Sequence, residues 1–201
     1  MRHELIGMEL SLDIEKRYTY ADYLTWFDDV RRELIDGLVK LLPAPKDIHA
    51  KVSKNISVRI GSFILAKEDC RCDIRYAPFD VRLPKNGETK DNCIYTVVQP
   101  DICVICDLSK LDDRGCIGAP DLIIEIVSKS SEKRDAVEKR ILYEKHGVRE
   151  YWVVYPKDEI IQVFLLDEDG KYPDFMVYAS DEKIPVHVLT GYEIDVNDIF
   201  K

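Results

Sequence analysis

The chain has 201 residues, 46% of them hydrophobic and 33% charged, with a formal net charge of -9. That length fits one domain with a substantial core and excludes a disordered chain, and no apolar run approaches the roughly 20 residues of a membrane span. The acidic balance argues against a dedicated nucleic-acid coat, whose domains are basic. It leaves room for an enzyme with a local basic lip beside acidic metal ligands.

Taken in chain order, residues 1–17 mix Glu4, Glu9, Asp13 and Glu15 with apolar side chains, unlike a signal peptide, which predicts a cytoplasmic protein. A short helix then begins at Thr19, with Asp22 in the capping-box position and Tyr20, Tyr23, Leu24 and Phe27 as a stripe that reads as packing material. Glu33 to Leu41 reads as a hairpin around Asp36-Gly37, because both turn residues need positive φ. Glu33 could reach a site, but it reads more simply as a solvated strand carboxylate.

Pro43-Ala44-Pro45 breaks the chain before a long helix over about 47–67, with Asp47 as its cap. Ile48, Val52, Ile56, Ile60, Phe63 and Ile64 share one face, while Lys51, Lys54 and Arg59 decorate the rest. His49, in the first turn, is either an edge histidine or a residue pointing into a site. Arg71 to Leu83 alternates like a strand, with Pro78 marking an edge or a bulge and Asp80 either at the surface or on a site face. A polar loop follows over 85–92.

Two apolar runs come next. Val97 to Ile105 reads as a buried strand carrying Asp101, and Pro120 to Val127 as a second carrying Glu125. Burying a charge is expensive unless it is paired or binds a metal, so the two carboxylates suggest a shared cation. The loop between them runs from Asp107 to Ala119. A helix capped by Ser130 or Ser131 ends at Gly147. Val137 and Ile141 form one line on it; Ala136, Lys139 and Tyr143 form another that faces the sheet. Glu150 to Pro156 returns as a strand. The remainder reads as a β meander over about 158–201, with strands at Ile160 to Leu166, Phe175 to Ala179 and Ile184 to Leu189, closed by a helical turn at Asp195 to Phe200.

The six cysteines, with no secretion signal, read as free thiols. Cys103 and Cys106 lie three apart in a strand and so point to opposite faces. Cys70 and Cys72 share a face. A zinc site drawn from Cys70, Cys72, Cys103 and Cys106 is a third-rank reading beside small core residues. No linker or repeat appears, so residues 1–201 are expected to form one domain with its core over about 18–165.

The order helix, three strands, helix, strand is that of restriction-endonuclease-like folds, the PD-(D/E)XK nucleases. The chain resembles, more narrowly, the large bacterial restriction-endonuclease family abundant in cyanobacteria and formerly called a domain of unknown function. The stretches that carry the resemblance are Tyr18 to Leu24, Glu33 to Gly37, Pro43 to Pro45 with His49, Pro78 to Leu83, Val98 to Ile102, Gly118 to Leu122 with Glu125 to Val127, and Gly147 to Val153. The resemblance implies an α/β (α+β) fold: a central mixed sheet flanked by helices, an N-terminal hairpin and C-terminal antiparallel strands. It implies a Mg²⁺- or Mn²⁺-dependent endonuclease acting on DNA. Asp101 and Glu125 would be metal ligands and catalytic residues, with Asp80 as a third acid and His49 and Glu33 as pocket lining. Val127 stands where the archetype has its lysine, and Lys139 is the best-placed substitute, with Lys129 and Lys133 as alternatives. Pairing into a homodimer is also expected. The alternative is a non-catalytic module that keeps the fold as a nucleic-acid or protein binding platform.

Overall fold

The computed structural model describes residues 12, 13, 15–128 and 134–201. Glu4, Glu9, Lys129, Ser130, Ser131 and Lys133 lie outside the described residues. The first elements are α1 (Tyr20–Tyr23), β1 (Arg32–Ile35), β2 (Leu38–Leu41) and α2 (Asp47–Ala66). Then come β3 (Asp73–Tyr76), β4 (Val81–Arg82), β5 (Val97–Val98), β6 (Ile102–Ile105), β7 (Leu111–Asp112), β8 (Gly115–Ile117) and β9 (Leu122–Ile126). A π-helical turn, Arg134–Lys139, runs into α3 (Arg140–His146), followed by β10 (Glu150–Tyr155), β11 (Ile160–Leu165), β12 (Phe175–Tyr178), β13 (Lys183–Pro185), β14 (Glu193–Asp195) and α4 (Val196–Phe200).

The strands form a mixed α+β arrangement of two sheets and a ribbon. The central sheet has the order β12-β11-β10-β9-β6-β3, and only β9 and β10 within it are parallel. A parallel pair needs a crossover, and the segment ending in α3 supplies it. The second sheet, order β2-β1-β5-β4-β8-β7, begins with the hairpin. Asp36 and Gly37 have φ of 51° and 85°, as the hairpin turn requires.

The alternation of the central strands sends their side chains to two cores. Ile102, Val104, Leu122, Ile124, Ile126, Trp152 and Val154 pack with Val52, Ile56 and Ile60 of α2. On the other face Cys103, Ile123, Val127, Tyr151 and Val153 meet Leu142 and Tyr143 of α3 and Val81, Val98 and Cys116 of the second sheet. Glu125 shares the parity of Ile123 and Val127, so it projects into this second layer. The C-terminal α4 locks onto α2, where the buried Asn55 Nδ2 donates to the carbonyls of Ile199 and Lys201 at 3.0 Å each.

Several expectations change. Val97 to Ile105 is not one strand: β5 belongs to the second sheet and β6 to the central one, and the chain switches sheets at Gln99-Pro100-Asp101. Pro100 cannot donate to a ladder, which makes this the natural break. The Arg71–Leu83 run divides the same way, β3 and β4 lying on either side of the cis Ala77–Pro78 bond. Asp47 is the first helical residue of α2 rather than its cap, since Lys46 occupies that position. α1 is a single turn with its capping box intact, and Phe27 is 94% exposed. Ile184 to Leu189 does not extend the meander; β13 pairs with β14 in a separate ribbon. Val137 and Ile141 face solvent, whereas Lys139 and Tyr143 are buried. Cys72 and Cys106 are joined as a disulfide, so two of the expected free thiols are not free.

Candidate active site

Glu125 lies near the end of β9, buried with 4% exposure. The helical rise that follows brings Lys139 and Tyr143, four residues apart and so on one face, over it. Lys139 Nζ donates to Glu125 Oε1 at 2.8 Å and Tyr143 Oη donates to the same oxygen at 2.7 Å. Burial, reinforced by the charges of Glu125 and Glu33, holds the Tyr143 phenol well above its ordinary pKa, so it stays a donor.

Lys139 Nζ also donates to Glu33 Oε1 at 2.8 Å. Glu33 is fully buried, not the solvated strand carboxylate its sequence suggested. The same Oε1 accepts from the Gln99 backbone N–H at 2.9 Å, while Oε2 is buried with no hydrogen-bond partner among the described residues. A single ammonium therefore bridges two carboxylates from different sheets.

Asp101 comes from the break before β6. Ile102 pairs with Ile124, so one further step in register puts Asp101 opposite Glu125. Its Oδ2 accepts from the Ile126 backbone N–H at 2.7 Å and lies 3.0 Å from Nε2 of His49, which descends from the first turn of α2. His49 thus points into the site. Among the described residues, the carboxylates of Glu33, Asp101 and Glu125 here face the Lys139 ammonium and the His49 imidazole.

These groups open onto a cleft of about 910 Å³ lined by His49, Asp101, Glu125 and Lys139. Its walls come from residues 42–46, the first half of α2, and residues 155–158. Among the described residues, five basic side chains (Arg31, Lys46, Lys54, Lys139, Lys157) and three acidic ones (Asp101, Glu125, Asp158) line it, against the acidic balance of the whole chain.

Asp80 and Glu33 do not line this cleft. Glu33 supports it from behind through Lys139. Asp80 Oδ1 accepts from Gln99 Nε2 at 3.0 Å and from Tyr23 Oη at 3.2 Å. Burial raises the Asp80 pKa, with the two hydrogen bonds opposing it. The expected metal role of Asp80 finds no support in this placement. Tyr23, read as packing, instead holds Asp80, and Gln99, whose Oε1 accepts from Arg31 Nε at 3.1 Å, joins Asp80 to the cleft wall. Sequence reasoning missed Gln99 as a site residue. Its position directly before Pro100-Asp101 was the available signal.

Among the described residues no three His, Cys, Asp or Glu side chains are grouped to hold a metal ion. The zinc quartet does not form: Cys72 is bonded to Cys106, and Cys103 is buried with the second core, its thiol pKa raised by that burial. Mg²⁺ has different needs. It keeps several waters and takes one or two carboxylates plus substrate phosphate oxygens, a donor set that Asp101 and Glu125 match at the edge of an open cleft.

The sequence profile of the Uma2 family, described as "Putative restriction endonuclease", matches residues 20–197. The chain belongs to the Uma2 family. Among solved structures, a protein described as "a putative nuclease belonging to DUF820" from Anabaena variabilis shares the fold. The TM-score is 0.71 at 18% identity, covering 91% of this chain and 97% of that one. No curated protein matches. Among the described residues, no helix of this Uma2 member is long and apolar enough to cross a membrane.

Proposed function

We propose that the chain is a Mg²⁺-dependent endonuclease, with Mn²⁺ as a substitute, that hydrolyses phosphodiester bonds in DNA. The observation that carries the reading is the convergence of Asp101, Glu125 and Lys139 on one cleft whose lip is basic. Family membership supports it.

Asp101 and Glu125 are the residues that would hold Mg²⁺, which when bound neutralises charge at the phosphate and eases deprotonation of the attacking water. His49 Nε2 and the Ile126 N–H fix the Asp101 carboxylate in one orientation. Tyr143 does the same for Glu125. Lys139 takes the role of the archetypal strand lysine from the helix side. Its ammonium, held by Glu33 and Glu125, is preorganised to stabilise negative charge building on the phosphoryl oxygens. Arg31, Lys46 and Lys54 on the lip would attract the flanking phosphates. Two copies are needed only for cutting both strands together. The edge strand β12, with Phe175, Met176 and Val177 exposed, is the surface on which such pairing would occur, and sedimentation velocity tests it.

Incubation of plasmid and oligonucleotide DNA with Mg²⁺ or Mn²⁺ tests the activity. Wild type should cut, and Asp101→Ala and Glu125→Ala should not. Equal trace cutting by all three would refute the proposal. A non-catalytic binding platform is the second reading, favoured by one observation: Glu125 Oε1 is already occupied by Lys139 and Tyr143. Calorimetric titration with Mg²⁺ and Mn²⁺ separates the two, since a platform shows no heat that depends on Asp101 and Glu125.

A further inference from the structure

The cleft has a second chemical half that phosphate hydrolysis does not use. Beside the carboxylates it is walled by Leu42, Pro43, Pro45, Ile48, Val58 and Tyr76. Ile48 is 43%, Val58 57% and Tyr76 63% exposed. Tyr76 is anchored next to the acids, because the Ala77 backbone N–H donates to the Asp101 carbonyl at 3.1 Å. Isolated apolar side chains on a surface need no explanation, but a set gathered in one concave site does.

A phosphodiester backbone offers nothing to such a wall; base faces do. In a duplex those faces are stacked on one another, so only unpaired nucleotides can lay a base against a protein aromatic ring. The dimensions agree. At about 910 Å³ the cleft lies in the range of pockets that enclose a drug-sized ligand, roughly 300–1,000 Å³, suited to a few nucleotides rather than to the width of a duplex. The charge agrees as well. Proteins that grip duplex DNA spread many cationic contacts over the backbone, whereas here Arg31, Lys46, Lys54 and Lys157 line the cleft of a chain of net charge -9. A positively charged rim tracking the backbone, combined with an aromatic platform for bases, is the arrangement used for single strands.

We infer that the cleft takes an unpaired stretch of polynucleotide, with a base seated on Tyr76 and the apolar wall and the adjoining phosphate delivered to Asp101, Glu125 and Lys139. This inference rests on the nuclease reading of the same cleft and names its substrate class. It makes Tyr76 a specificity-determining residue: single strands, bubbles and frayed ends are preferred over continuous duplex.

The test is fluorescence anisotropy with a labelled oligonucleotide presented as a single strand, as a full duplex, and as a duplex with a central bubble. Ca²⁺ replaces Mg²⁺, and cleavage of the same three in Mg²⁺ is scored in parallel. DNA and RNA versions are both run, and in each the unpaired form is expected to lead. Single strand and bubble should bind at least about tenfold more tightly than duplex, and Tyr76→Ala should remove about tenfold of that affinity while Tyr76→Phe keeps it. Tyr76 is mostly exposed, so these variants fold. Val58→Asp, in the lining of the same cleft, should act like Tyr76→Ala. Duplex bound or cut as well as the single strand, or an unchanged preference in Tyr76→Ala and Val58→Asp, would overturn the inference while leaving a nuclease intact. A Tyr76-dependent preference for unpaired strands with no cleavage of any substrate would support the inference and overturn the catalytic reading.

Discussion

Glu33 and Lys139 lie 106 residues apart in the chain and meet at 2.8 Å with 0% and 1% of their side chains exposed. One comes from the N-terminal hairpin, the other from the helix that crosses between β9 and β10. Their contact ties the second sheet to the floor of the cleft and sets where the lysine ammonium stands relative to Glu125.

Removing either partner leaves a buried charge without its full complement. Lys139→Met strands two carboxylates and should cost about 3–5 kcal/mol. Glu33→Gln leaves the ammonium paired with Glu125 and should cost less, about 1–3 kcal/mol. The double variant should be less unstable than the sum of the two, because each change relieves the charge the other exposes. Urea unfolding of all four proteins measures this coupling. Additive costs would mean that the contact contributes nothing.

Asp80 yields a prediction with a definite sign. Burial raises its pKa, so the folded protein binds that proton more tightly than the unfolded chain. The stability this confers is fully present below the unfolded pKa, about 4, and is lost as pH rises through the folded value. At neutral pH the charged form is therefore a liability. Asp80→Asn, which keeps an acceptor for Tyr23 and Gln99, should be neutral or stabilising at pH 7 and lose that advantage near pH 4. It should also retain nuclease activity. Urea midpoints at the two pH values check the sign; destabilisation confined to pH 7 would point to a cationic partner for Asp80.

His49 orients Asp101 rather than standing opposite Glu125. His49→Ala should leave the fold intact and reduce cleavage about 10- to 100-fold, the usual cost of losing a group that orients a metal-binding residue. Mg²⁺ titration of the cleavage rate should move the midpoint upward. Wild-type rate and midpoint in this variant would remove His49 from the site.

Gly115 lets β8 approach β4 closely. Its φ is 122°, and a Cβ there would stand 2.2 Å from the Asp80 carbonyl oxygen, the acceptor of the Cys116 N–H. Gly115→Ala should destabilise by at least about 2 kcal/mol, read as a lowered thermal midpoint. A wild-type midpoint would show that the strand pair can shift freely.

Much of this site could be read from residue order, and the failures share a cause. Lys139 was legible because Ala136, Lys139 and Tyr143 keep one helical line, and the sheet-facing line of a helix is a local property. Glu125 was legible as the lone charge in an apolar strand. Glu33 was not: a four-residue strand shows two alternating faces but not that its polar face will be covered by a helix 106 residues later. Tyr23 and Gln99 were missed for the same reason, since the groups they hold, Asp80 for both and Glu33 and Arg31 for Gln99, come from distant segments. The continuous apolar run around Asp101 concealed a change of sheet that Pro100 alone signalled.

We propose that Asp101, Glu125 and Lys139 form one hydrolytic site. Single-turnover cleavage of an end-labelled DNA strand in Mg²⁺ tests it most directly, comparing wild type with Glu125→Gln and Lys139→Met at concentrations corrected for the folded fraction. Wild type should cleave until Mg²⁺ is chelated, and both variants should cleave at rates at least about 100-fold lower. A folded Lys139→Met protein that cuts at the wild-type rate would contradict it.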